Sequence, residues 1–365
     1  MSLRISDLEA IPVSVPFCEP FEIAGGAAEE ARHVILRLTS TGGEAGYGES
    51  APMSSYSPQS QDGVMREIER IRPLIIDANP LHTERFHAEV RRREIDSFAA
   101  AGVDIALHDL GARCLDIPVS EMFGGPVCDG VELSWAIGLK PAERMVDEAL
   151  RFKRIGFRTV KIKIGRDPEA DLERVRQVRE AVGPDVKIKV DANQGYDLQT
   201  ATEVGRELEV LDVSVFEQPL PRGSLDEMAY LREHIDIPVM ADESLYNIRD
   251  GYEILKYGSA DIFNIKIMKP GGLYPSSKLV HLAESAGMAC MLGSMPELGI
   301  GTLGGLQLAS TSDVFTYGSE LIGPWMLEDH LLVDTPQLRD GKVILPAGNG
   351  LGIKVDETKL ERYRT

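Results

Sequence analysis

Apolar and polar positions in the second half of this chain alternate as short apolar runs, each ending on a charged or small polar residue. The runs TVKIK, VKIKVD, SVFE, VMAD, IFNIK and ACMLGS lead to Lys163, Asp191, Glu217, Asp242, Lys266 and Ser294, and Ser319 continues the series. Successive members are 28, 26, 25, 24, 28 and 25 residues apart, the length of one strand plus one helix. Such a period, with its polar residues at strand ends, predicts a (β/α)8 barrel whose site draws side chains from the C-terminal ends of several strands. The first barrel strand is expected at VELSWAIGL, residues 131–139.

The earlier residues follow another pattern. Stretches 3–14 and 33–39 read as strands, and STGGEAGYGES supplies a turn into a third. Helical periodicity follows over 61–76, over 81–93 and through AAGVDIALHDLGARCLD. Strands followed by helices predict a separate α+β unit over residues 1–125. The glycine- and proline-punctuated run PVSEMFGGPVCDG makes the crossing into a barrel over residues 126–325.

Composition narrows the function. A length of 365 residues suits a barrel plus a second unit, and 43% apolar residues can fill a large core. A formal net charge of −19 argues against nucleic acid as a partner, because phosphate binding needs a basic surface. No apolar run has the length of a membrane span and the N-terminal residues carry no signal-like core, so a cytoplasmic protein is expected. Cys18, Cys114, Cys128 and Cys290 show no metal-ligand spacing and are expected to be reduced.

Candidate chemistry lies at the strand ends. Asp191, Glu217 and Asp242 would repel one another without a cation. With no histidine or cysteine beside them, their hard oxygen donors select Mg2+, or Mn2+, over zinc. Lys161 and Lys163 share one side of their strand. Lys266 stands four barrel strands further on, so Lys163 and Lys266 are expected to face each other across the cation. Lys189, one layer below Asp191, reads as a counter-ion to the ligands, and Lys269 as the start of the next loop. Asn193, Gln218, Glu243 and Asn264 are expected to support the site without binding the ion, with Asn264 orienting Lys266.

These residues carry a resemblance. The segments AAGVDIALHDLGARCLDIPVSEMFGG, KIKIG, VDANQGY, FEQPL, ADES, NIKIMKPGG and GSELIGPWML together resemble the enolase superfamily, in its muconate cycloisomerase subgroup. The likeness implies a capping domain, a modified barrel, and a C-terminal segment, residues 326–365, that returns to the cap. It also implies homo-oligomers. By similarity, Lys163 and Lys266 are acid/base groups on opposite faces of a small carboxylate substrate, and Lys161 supports Lys163. A proton beside a carboxylate is very weakly acidic, and a metal ion can stabilise the enediolate left by its removal. Cycloisomerisation, racemisation or epimerisation, and dehydration all share that step. A non-catalytic descendant is the distant alternative, opposed by the presence of all five metal and lysine positions.

Substrate choice is expected to fall to cap segments 21–28 and 50–57, including Ile23 and Tyr56, and to Ser294, Glu297, Glu320 and Ile322 at the last two strands. Dipeptide epimerases of this family carry Asp-x-Asp at the eighth strand, where this chain has Glu320-Leu321-Ile322 and lacks the second acid. Glu22, Glu29 and Glu30, if turned to the pocket, would disfavour a dianion and select a monocarboxylate.

Overall fold

The protein was analysed as a computed structural model that describes residues 3–23, 26–54 and 56–365, with backbone alone at 20–23 and 26–27. Ile23 and Glu22 therefore lie outside the described side chains. Strand β1 (Ile5–Ile23) pairs antiparallel with β2 (Gly26–Ser40), which pairs with β3 (Ala45–Ser50). Both long strands exceed their expected spans. Phe21 pairs with Ala28 and Ile23 with Gly26, so the segment expected as a selecting loop is the end of a hairpin. Helices α1 (Gln61–Ile75), α2 (Thr83–Arg92) and α3 (Ser97–Leu115) follow. Helix α3 is buried from Phe98 to Ala112, because it lies between the cap sheet and the barrel.

The expected first barrel strand is divided. Strand β4 (Gly130–Glu132) joins a small sheet with β13 and β12, which lie at Lys342–Ile344 and Leu338–Arg339, while β5 (Ser134–Ile137) enters the barrel. The parallel sheet continues through β6 (Thr159–Lys163), β7 (Lys187–Asp191), β8 (Val213–Glu217), β9 (Val239–Ala241), β10 (Ile262–Ile265) and β11 (Ala289–Leu292). Residues 314–320 close the ring. On one side the N–H of Cys290 in β11 donates to Val314 O and that of Glu320 to Leu292 O of β11; on the other the N–H of Ser319 donates to Glu132 O and that of Ser134 to Ser319 O. Its place as eighth strand rests on these few bonds, without a regular ladder.

Helices α4 (Ala142–Arg154), α5 (Pro168–Val182), α6 (Leu198–Val210), α7 (Leu225–His234), α8 (Ile248–Tyr257), α9 (Leu273–Ala286) and α10 (Gly299–Ala309) connect the strands. Asp167, Asp197 and Asn247 supply local side-chain caps to α5, α6 and α8, satisfying backbone N–H groups at their first turns. Below the strand ends, Val215, Met240, Ile262 and Met291 form a buried apolar layer that closes the floor of the barrel. At the far end of the chain, Arg364 bridges to Val13, and Glu357 contacts Arg37 and Tyr47, so the C-terminal residues pack on the cap sheet.

Candidate active site

Register explains how three strands deliver their polar ends together. Lys163 pairs with Asp191 and Asp191 with Glu217, so the three side chains stand in one inward-facing row. Asp242 and Lys266 lie one residue past β9 and β10, where the backbone is leaving the sheet. Oxygen atoms of Asp191, Glu217 and Asp242 lie within 4.8 Å of one another, and all three residues are fully buried. Burial pushes the Glu217 carboxyl up to about 8, with the charge of Asp191 adding to it. Three crowded oxygen donors, one of them destabilised as an anion, fit a hard divalent cation.

Lysines flank the triad as expected. Lys163 Nζ donates to Asp191 Oδ2 at 2.6 Å and to Asn193 Oδ1 at 2.7 Å. Across the barrel, Lys266 Nζ donates to Asp242 Oδ2 at 2.7 Å. Burial lowers the Lys266 pKa, but Asp242 prevails and brings it to about 12. Lys161 Nζ, one layer below Lys163, reaches Glu217 at 3.2 Å and Asp191 at 3.4 Å. The cap enters through Tyr56, whose hydroxyl donates to Asp242 Oδ2 at 2.9 Å and accepts from Lys266 Nζ at 3.0 Å.

Support comes from amides in strained backbone. Gln218 accepts from the backbone N–H groups of Asp242 and Ser244 and donates to Leu220 O and Ser244 Oγ, so its side chain ties the Glu217 strand end to that of Asp242. Asn193 links Lys163 to Glu243, donating to Glu243 Oε1 at 3.0 Å. Both residues hold positive φ, 35° at Gln218 and 41° at Asn193, a conformation that costs energy in a non-glycine residue and clusters at functional sites.

Several assignments change. Asn264 donates to Glu217 Oε1 at 2.8 Å and makes no hydrogen bond to Lys266, so it orients a carboxylate rather than the lysine. Lys189 does not neutralise the triad; it pairs with Glu320 at 3.1 Å. Glu320 also accepts from Lys161 at 2.5 Å, so its carboxylate is taken up by two lysines inside the barrel instead of pointing to substrate. Glu297 turns back onto Ser294 Oγ and the N–H of Met295, leaving its buried Oε1 without a partner. Ile322 is buried beside this turn. Among the cap acids, Glu29 is exposed and Glu30 pairs with Arg32 at 2.5 Å. Lys269 lies in the turn after β10, as expected, but its side chain is fully buried and bonded to Asp242. The signal available in the sequence was its place three residues after Lys266, one turn that carries the chain back over the strand end.

A capped barrel with three carboxylates between two lysines is an arrangement that could hold a metal ion beside two amines. Residues 7–124 match the family described as mandelate racemase / muconate lactonizing enzyme, N-terminal domain, and residues 144–359 match the one described as enolase C-terminal domain-like. A chloromuconate cycloisomerase of Cupriavidus necator is 31% identical over 99% of each chain. An N-succinyl-L-Arg/Lys racemase of Bacillus cereus is 31% identical over 98% of this chain and 97% of its own. The crystal structure of a muconate lactonizing enzyme from Pseudomonas fluorescens complexed with muconolactone superposes with a TM-score of 0.96 at 29% identity over 100% of both chains. The chain belongs to the mandelate racemase and muconate lactonizing enzyme family of the enolase superfamily, and it is an enzyme.

Proposed function

We propose that the protein is a Mg2+-dependent isomerase that moves a proton at the α-carbon of a small carboxylate, with Lys163 and Lys266 as the two acid/base groups. The observation that carries this reading is the pairing of each lysine with a different carboxylate of one triad, Lys163 with Asp191 and Lys266 with Asp242. Their strands are separated by the three that deliver the ligands, which in an eight-stranded ring puts the amines on opposite sides. Asp191, Glu217 and Asp242 would hold the cation, whose Lewis acidity stabilises the second charge that develops on the substrate carboxylate as the proton leaves.

The remaining steps fall to the chain itself. One lysine, released from its carboxylate and neutral, takes the α-proton on its side; the other, protonated, returns one to the opposite side. Lys161 stays charged between Glu217, Asp191 and Glu320, where burial opposes its charge but the carboxylates raise its pKa well above the ordinary value, and it offers an ammonium to the substrate carboxylate. Asn264 and Gln218 hold the ligands still. Tyr56 covers the Lys266 side.

The buried charges support a monocarboxylate. With Glu217 and Glu243 ionised, as a bound cation would hold them, Lys161, Lys163, Lys189, Lys266 and Lys269 balance Asp191, Glu217, Asp242, Glu243 and Glu320. A single carboxylate that gains a second charge on deprotonation matches the two positive charges of the ion. Racemisation or epimerisation uses both lysines; cycloisomerisation, as in the muconate relatives, uses one of them on an enolate. All-oxygen donors support Mg2+, free cysteines a reducing cytoplasm, and exposed Tyr230, Tyr252 and Tyr257 on α7 and α8 self-association. Among the described residues no helix is long and apolar enough to cross a membrane.

The test is α-proton exchange in D2O over a carboxylate library that includes muconate and N-succinyl amino acids, with Lys163→Ala and Lys266→Ala as controls. Metal-dependent exchange that each substitution removes is the expected result. Exchange that survives both would overturn the assignment.

A further inference from the structure

Two barrel helices on the cap side lack a side-chain cap of their own. Helix α9 is preceded by Gly272 and helix α10 by Leu298, and neither residue offers an acceptor to the first turn. Both first turns are capped from the other domain. Asp104 of α3 accepts the N–H of Leu273 at 2.5 Å and of Tyr274 at 3.2 Å through Oδ2, while Oδ1 takes His87 Nε2 at 2.7 Å. Glu49 of β3 accepts the N–H of Leu298 and of Gly301, each at 2.7 Å, and His33 Nδ1 lies 2.7 Å from Oε1. Asp104 and Glu49 are both fully buried. Gly272 has φ of 121°, and a Cβ there would collide with the Asp104 carboxylate, so the glycine makes room for the foreign cap.

Each capped helix starts directly after a turn that the site uses. The turn before α9 carries Lys266 and Lys269 and is closed by the N–H of Lys269 on Lys266 O and that of Gly272 on Ile267 O. The turn before α10 carries Ser294 and Glu297. A charged cap fixes a helix terminus in place, and here it also fixes the few residues between that terminus and the strand end. We propose that Asp104 and Glu49 are positioning residues through which the cap sets two parts of the site separately: Asp104 aligns Lys266 for proton transfer, and Glu49 aligns the Ser294–Glu297 turn against the substrate. This rests on the reading of Lys266 as an acid/base group.

The test compares wild-type protein with Asp104→Asn and Glu49→Gln, in Mg2+, by hydrogen–deuterium exchange. Asp104→Asn is expected to speed amide exchange over residues 266–276 by about tenfold, the factor for losing the charge of a buried cap while an amide acceptor remains, and to leave 294–303 unchanged. Glu49→Gln is expected to do the reverse. With N-succinyl-L- and D-arginine as kinetic probes, Asp104→Asn should lower kcat, slowing α-proton exchange for the enantiomer that Lys266 serves and sparing the other; Glu49→Gln should raise KM. Should Asp104→Asn fail to fold, His87→Asn removes one of the two histidines that orient the carboxylate, leaving His108, and should loosen 266–276 in the same direction. Equal loosening of both segments in either variant, or of neither, overturns the proposal. Full exchange activity in Lys266→Ala would instead overturn the reading of the site, while the exchange pattern still decides the positioning.

Discussion

Lys269 Nζ donates to Asp242 Oδ1 at 2.7 Å, and neither side chain has any exposed surface. The same ammonium donates to the carbonyl oxygens of Asp242 and Asn264. Burial lowers the Lys269 pKa and Asp242 only partly restores it, so the pair holds a charge where an unpaired one would be expelled. Lys269→Met leaves Asp242 with Lys266 and Tyr56 but takes one donor from each of two carbonyls, of which Asp242 O keeps the N–H of Leu245. The expected cost is about 3 kcal/mol, read as a lowered urea midpoint in EDTA. An unchanged midpoint would mean that the pair contributes nothing to the fold.

Glu320 is placed by its neighbours as a counter-ion. Lys161 and Lys189 both bond to it, and burial, which opposes its charge, is outweighed by the two lysines so that its pKa falls to about 2. Glu320→Gln keeps the shape and removes the charge, leaving Lys161 and Lys189 one neutral amide oxygen between them, with Gly318 O and Met291 Sδ still beside Lys189. Stability should fall by about 3 to 5 kcal/mol, with KM changed only through Lys161, which Glu320 helps to place. A raised KM at undiminished stability would return Glu320 to the substrate side.

The ligands and their supports should separate in metal affinity. Asn264→Ala removes the bond to Glu217, and Gln218→Ala the tie between two strand ends; each should weaken Mn2+ binding by about 10- to 100-fold. Asp191→Asn, Glu217→Gln and Asp242→Asn remove donors and should weaken it further. Calorimetric titration of Mn2+ into EDTA-stripped protein gives the order. Equal losses for a ligand and a support would dissolve the distinction between them.

Strand parity explains how much of this was legible in the sequence. Lys163, Asp191 and Glu217 end regular parallel strands, so a fixed period in the sequence becomes a fixed row in space. Lys269 escaped because it follows the strand end, in a turn where side-chain direction no longer follows the alternation. Glu320 escaped because residues 314–320 make isolated bridges in place of a ladder, and nothing local announces which lysines a buried carboxylate will meet. Asp104 reads in the sequence as one more polar residue of a long helix; its role depends on Leu273, 169 positions away. The cap hairpin ran past its expected end because the alternation continues through Pro12 and Pro16 up to an irregularity before Phe21, and prolines discourage the reading of a continuous strand.

The buried cluster around Asp104 also predicts a pH dependence. His108 Nδ1 lies 2.7 Å from Asp104 O and 3.3 Å from Asp104 Oδ2, and its ring stacks on Phe123. Burial pulls the His108 imidazole down, but the charge and hydrogen bonds of Asp104 outweigh it and raise its pKa above 6.5. A histidine raised on folding contributes stability that is fully present below its unfolded pKa and is lost as pH rises through the folded value. Asp104 acts with the opposite sign: burial pushes it up, His108 and His87 hold it well below the carboxylate range, and its contribution is present above about pH 4 and lost in acid. Between pH 6 and pH 9 the Asp104 contribution is constant while that of His108 falls, and Glu217, raised by burial to about 8, and Glu243, raised to about 7, add a decline of the same sign, so the wild-type urea midpoint should decline over that interval. His108→Asn should make that decline shallower, leaving the part that belongs to Glu217 and Glu243, while lowering stability most at pH 6. Parallel curves for the two proteins would place the titration on another group.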